Sequence, residues 1–138
     1  MSDAAYSKTA ACACGGLKVT VSAPPKFTHA CSCLDCQRRS GSAFSYTAFF
    51  DEAAVDIDGQ SRAWRNSSSE AGRWSEVHFC PDCGVSVFMR LEALPKIVCV
   101  AVGCFADPSF AAPGRLHWSS RRHHWLDLPA AVERIETQ

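Results

Sequence analysis

No stretch of this 138-residue chain approaches the ~18 consecutive apolar residues that cross a membrane. One-signed charge is missing as well: 14 basic residues face 14 acidic ones, for a formal net charge of zero. With no lysine- or arginine-rich stripe, that balance speaks against nucleic acid as a partner. No long helical period runs through the chain, which excludes a coiled coil, and there is no internal repeat. Met1 to Ala11 carries one lysine and no apolar run of signal-peptide type, so the expected location is cytoplasmic, without a membrane partner.

What the chain does have is apolar bulk and sulfur. Hydrophobic residues make up 47% of it, with eight Phe and four Trp, enough for one compact core. The expected layout is a flexible segment over 1–11, a single domain over 12–130, and a tail over 131–138. Alternation at period two marks strands at Leu17–Val21 and Trp74–Phe79. Ala43–Phe50, Val55–Gly59 and Val85–Met89 are further strand candidates. Lys96–Phe105 reads as a central strand bounded by prolines. Ser67–Glu70 reads as a turn, and Cys31–Gly41 as a metal-binding loop entering a short helical turn. The fold class expected is mainly β.

Nine cysteines in a reducing compartment are poor disulfide candidates, and an odd number leaves one outside any complete pairing. Seven fall into three clusters: Cys12-Ala-Cys14, Cys31-Ser-Cys33-Leu-Asp-Cys36 and Cys80-Pro-Asp-Cys83-Gly. Zinc takes four ligands, and a structural site is filled by protein atoms alone. Seven thiols divide most simply into four and three. The Cys80–Cys83 turn supplies two ligands and needs another pair, which Cys12 and Cys14 provide. The triplet supplies three ligands and leaves one position for chemistry. The alternative is a closed structural site in which His29, Asp35 or His117 completes the triplet. Cys99 and Cys104 lie in the apolar strand region and read as core.

Taken in order, these motifs resemble the glutathione-dependent formaldehyde-activating enzyme family, also called S-(hydroxymethyl)glutathione synthase-like. The likeness runs from Cys12-Ala-Cys14-Gly-Gly through Cys31-Ser-Cys33-Leu-Asp-Cys36-Gln-Arg-Arg-Ser-Gly and Phe79-Cys-Pro-Asp-Cys-Gly84. It continues through Val102-Gly-Cys-Phe-Ala-Asp-Pro108 and His117-Trp118 to Trp125-Leu-Asp-Leu-Pro129. The resemblance implies an Mss4-like fold of twisted antiparallel sheets with zinc-binding turns. It implies two zinc ions: a structural one on Cys12, Cys14, Cys80 and Cys83, and a catalytic one on Cys31, Cys33 and Cys36. It also implies carbon–sulfur lyase chemistry on glutathione and formaldehyde. Ser32 stands where relatives often carry histidine.

Glutathione carries carboxylates, and Arg38 and Arg39 directly after the triplet are the expected binders, ahead of Arg121 and Arg122. His29, Asp35, His117, His123 and His124 are the candidate proton carriers, and water is another. Trp64 or Trp74 would serve as a pocket wall. The rival reading is a non-enzymatic, zinc-stabilised module that binds a protein or peptide.

Overall fold

The protein is described by a computed structural model over residues 5–67 and 72–137. In chain order the elements are β1 (Lys8–Ala11), β2 (Lys18–Val21), β3 (Phe27–Cys31), α1 (Leu34–Ser40), β4 (Ser45–Asp51) and β5 (Val55–Asp58). They continue with β6 (Arg62–Asn66), β7 (Ser75–Phe79), β8 (Ser86–Leu91), β9 (Leu94–Ala101), β10 (Arg115–His117) and β11 (Glu133–Arg134). Two sheets result, one ordered β1-β2-β5 and the other β11-β10-β3-β4-β9-β8-β7-β6. The architecture is mainly β and Mss4-like, with antiparallel sheets as expected. Two pairings depart from that rule: β10 runs parallel to both β3 and β11.

The β4 sequence Ser-Tyr-Thr-Ala-Phe-Phe-Asp shows why it is central. Ala48 and Phe50 face one side, where they meet Val19 and Val21 of β2 and Val98 and Val100 of β9 in the main core. Phe49 faces the other side and packs with Val77, Met89 and Cys99. A strand buried on both faces reads as an apolar run rather than an alternation. Each fully buried Phe contributes about 2–3 kcal/mol of burial free energy.

Several expectations need correcting. Lys8–Ala11, expected in a loose leader, pairs with β2 because Ala10 is core and Lys8 Nζ reaches Asp107 Oδ2 at 2.8 Å. Glu133–Arg134, expected in the tail, forms β11 against β10. The Lys96–Phe105 strand stops at Ala101, and Val102–Phe105 is a 3₁₀ turn ended by Ala106 at φ 51°. The turn expected at Ser67–Glu70 falls mostly outside the described residues. Among the described residues no helix is long and apolar enough to cross a membrane.

Candidate metal centres

The four-cysteine cluster forms where the β1–β2 connection meets the β7–β8 turn. Sγ atoms of Cys12, Cys14, Cys80 and Cys83 all lie within 4.8 Å of one another. Cys12–Cys14 and Cys14–Cys80 are each 3.6 Å apart. The Leu17 N–H donates to Cys12 Sγ at 3.2 Å, and the Gly84 N–H closes the other turn on the Cys80 carbonyl at 2.8 Å. Burial opposes a Cys12 thiolate, yet the Leu17 N–H and neighbouring thiols lower its pKa to about 6. The Gly16 N–H favours a Cys14 thiolate, but the three nearby sulfurs push it up to about 12. Four soft donors gathered within 4.8 Å of one another suit one divalent thiophilic cation.

The second cluster is built by β3 and α1. Cys31 ends β3, and Cys33 is the N-cap of α1, its Sγ accepting the Cys36 N–H at 3.3 Å. Gly41 in the left-handed region at φ 64° stops the helix, its N–H bonding the Gln37 carbonyl. The three sulfurs lie within 4.8 Å of one another, and among the described residues no histidine or carboxylate joins them. Cys31 is buried; Cys33 and Cys36 are half-buried. Thiol hydrogen bonds from Cys31 and Cys33 hold Cys36 far below the usual thiol range, helped by Arg39, whose Nη2 stands 3.6 Å from Cys36 Sγ. Hydrogen bonding with Cys33 and Cys36 pushes Cys31 far upward. One negative charge among three sulfurs is all this arrangement supports without a cation. The donor chemistry therefore fits a thiophilic ion here too, and three thiolates on a divalent ion leave one negative charge for Arg39 to offset.

Strand register decides what surrounds the triplet. Cys31 lies opposite Ser45 on β4 and beside His117 on β10, while His29 lies opposite Thr47 and beside Arg115. His29 and His117 thus share the Cys31 face, with ring centroids 4.7 Å apart. Burial first, then the neighbouring His117, lowers the His29 pKa to about 4. Burial also lowers His117. Both rings are neutral at pH 7. The buried Ser45 hydroxyl faces Cys36, whose thiolate it favours, and has no other hydrogen-bond partner among the described residues.

Residues chosen from the sequence separate into those the fold gathers and those it scatters. Arg39 lies on the sulfur side of α1. Arg38 projects into an open cavity of about 560 Å³ shared with Gln37, Phe44, His123 and Trp125. Asp35 is exposed on the first turn of α1, and His124 is exposed. Arg121 stacks on Trp118 at 5.0 Å, and Arg122 donates to the Ser119 carbonyl. Trp64 and Trp74 sit at the β6–β7 end of the large sheet, several strands from β3, with Arg65 over Trp74 at 3.9 Å. Cys99 is buried, which raises its pKa to about 12.

Gln37 and Ser45 were not singled out from the sequence. Gln37 Nε2 donates to the Ser32 carbonyl at 2.8 Å and the Arg121 carbonyl at 3.0 Å, while its Oε1 meets His123 Nε2 at 3.0 Å. It ties the triplet loop to the chain's last third. Gln37 follows Cys36 directly, and that adjacency was the one available signal. Ser45 carried no sequence signal, because only the β3–β4 register brings it to Cys31.

Fold and clusters together define a mainly β domain with one four-cysteine and one three-cysteine group, each able to hold a metal ion. Residues 7–121 match the family described as glutathione-dependent formaldehyde-activating enzyme, and the chain belongs to that family. It is similar to a Penicillium rubens protein named as a candidate glutathione-dependent formaldehyde-activating enzyme, 32% identical over 81 residues, or 59% of this chain. The match spans about two-fifths, 41%, of that curated relative's length. A solved Rhodobacter sphaeroides protein shares the fold, with a TM-score of 0.53 and 16% identity over 76% of this chain and 91% of its own.

Proposed function

We propose that the protein is a zinc-dependent carbon–sulfur lyase that joins a small aldehyde such as formaldehyde to glutathione, reversibly giving S-(hydroxymethyl)glutathione. The observation that carries this reading is the trio Cys31, Cys33 and Cys36, the last two partly exposed, gathered within 4.8 Å with no fourth protein donor among the described residues. Family membership supports the substrate pair. Cys12, Cys14, Cys80 and Cys83 would hold a structural zinc, and the trio the catalytic one. Zinc held by Cys31, Cys33 and Cys36 would supply Lewis acidity able to lower the pKa of a thiol that reaches it. A reducing location such as the cytoplasm keeps all seven ligands as thiols.

The chain's own groups then have distinct tasks. Arg39, beside Cys36, offsets the excess negative charge of the thiolates. Arg38 receives a glutathione carboxylate in the cavity along α1, where a guanidinium can bond it bidentately. His29 and His117, neutral and on the Cys31 face, offer N–H groups to the oxygen that becomes an alkoxide as sulfur attacks carbon. Ser45 and Gln37 keep the trio in place.

Exchange NMR on formaldehyde and glutathione tests the reaction. Zinc-loaded protein should accelerate exchange between free aldehyde and adduct, and His117→Ala should slow it by about 10²-fold, the lower range for a lost proton-transfer group. An exchange rate identical with and without the protein would sink the lyase reading.

A further inference from the structure

Gln37, the residue after Cys36, decides where one histidine carries its hydrogen. The Gln37 amide nitrogen donates to two carbonyls, Ser32 at 2.8 Å and Arg121 at 3.0 Å. Its Oε1 can only accept, so His123 Nε2, 3.0 Å away, is the protonated nitrogen and donates. In the neutral ring this leaves Nδ1 as an open lone pair. His123 is exposed, stands T-shaped to Trp125 with centroids 5.7 Å apart, and lines the cavity of about 560 Å³ along α1.

That cavity sets three kinds of contact side by side. Arg38 offers a planar guanidinium, which holds a carboxylate through two parallel bonds. His123 Nδ1 and the Ser42 hydroxyl offer acceptors. Trp125 offers an indole face; at 62% it is the most exposed large hydrophobic among the described residues, and such a face attracts a cation. Among the described residues no carboxylate lines the cavity. A carboxylate and a hydrogen-bonding cation on one carbon match this set, and together they make an α-amino-acid head group. Glutathione has two carboxylates, and only the γ-glutamyl one shares its carbon with an ammonium.

The reach agrees. Arg38 lies two residues past Cys36, on the far flank of a helix about 10 Å across with its side chains. Seven bonds join the cysteinyl sulfur of glutathione to its γ-glutamyl α-carbon, about 9 Å when extended. A sulfur at the triplet and a head group in the cavity are therefore one molecule's length apart.

We infer that the cavity along α1 seats the γ-glutamyl end of glutathione and reads it as an amino-acid head group. Arg38 takes the α-carboxylate, while His123 Nδ1 and the Trp125 face take the ammonium. The glycyl end lies outside this cavity. The inference rests on the proposed thiol–aldehyde function and makes the site selective for thiols that carry a free α-amino acid.

Thioethers report the head group without turnover. Calorimetric titration of the zinc-loaded full chain at pH 8 should show S-methylglutathione binding ~10-fold or more tightly than its N-acetyl derivative. γ-Glutamyl-S-methylcysteine, which lacks the glycyl residue, should bind within about threefold of S-methylglutathione. His123→Ala combined with Trp125→Ala, both at exposed positions, should keep fold and metal content and cut the acetylation penalty to within about threefold. Arg38→Ala should weaken both compounds by a similar factor and leave their ratio unchanged. Equal affinities for the free and acetylated compounds, binding of neither, a penalty unchanged in the double variant, or glycyl removal costing more than acetylation would each overturn the inference. Formaldehyde exchange followed in parallel fails separately. Its absence with the acetylation penalty intact removes the lyase reading and keeps the seat, whereas exchange as fast with N-acetylglutathione as with glutathione removes the seat.

Discussion

Ser32 lies between two cysteines of the triplet, yet its side chain turns away from them. It is fully buried, donates to the Ala43 carbonyl at 3.2 Å, and its backbone N–H meets the His117 carbonyl at 3.0 Å. In this chain position 32 is a peg beneath the site, not a group beside the sulfurs. Ser32→His would force an imidazole into filled space and cost about 1–3 kcal/mol, read as a lowered urea midpoint. His29 gives a second residue-scale prediction. Its pKa of about 4 lies below the ordinary 6.5, so the folded state resists its protonation. That contribution is complete above about pH 6.5 and is lost as the pH falls toward 4, up to about 3 kcal/mol. His29→Gln should therefore flatten the stability profile between pH 6.5 and 4 relative to wild type. A slope unchanged by the substitution would contradict a buried, neutral His29.

At the scale of elements, β3 and α1 build the triplet together, and the β5–β6 turn braces the four-cysteine group. Gly59 in that turn has φ 102°, and a Cβ there would fall 2.0 Å from the Gly16 carbonyl oxygen, in the loop that carries Cys14. Gly59→Ala should destabilise the domain by about 2 kcal/mol or more and loosen metal held by Cys12 and Cys14. Chelator-induced metal release should speed up accordingly; wild-type release kinetics would count against the close approach. The sequence made β2, β4, β7 and β8 legible because apolar alternation or a buried apolar run marks each. It did not reveal β3, whose Phe-Thr-His-Ala-Cys mixes polar and apolar residues because one face lines the candidate site. Nor did it reveal β6, an edge strand whose Arg-Ala-Trp-Arg is exposed. Two- and three-residue strands such as β11 and β10 carry too little pattern to read. The three cysteine clusters were legible as spacing, and their assembly into four and three follows from counting thiols. The split between Arg38 and Arg39 depends on helix phase: residues i and i+3 from Cys36 share a side, while i+2 points away.

For the whole molecule, the four-cysteine group links the β1–β2 loop of the small sheet to the β7–β8 turn of the large one. Cys12 and Cys80 are part of the main core itself. If the group holds the proposed zinc, its removal should unfold the domain, since binding free energy at such a site is folding free energy. The triplet sits at one end of the large sheet and is supported by β-pairing and by Gln37 as well as by any ion. The two sites should therefore respond differently to loss of one ligand. The most direct test is zinc per chain, by elemental analysis of purified protein, beside far-UV circular dichroism, for wild type, Cys36→Ala and Cys80→Ala. Two zincs in the wild type, one in a folded Cys36→Ala protein, and an unfolded Cys80→Ala protein are predicted. A single zinc that survives Cys36→Ala unchanged would contradict the account.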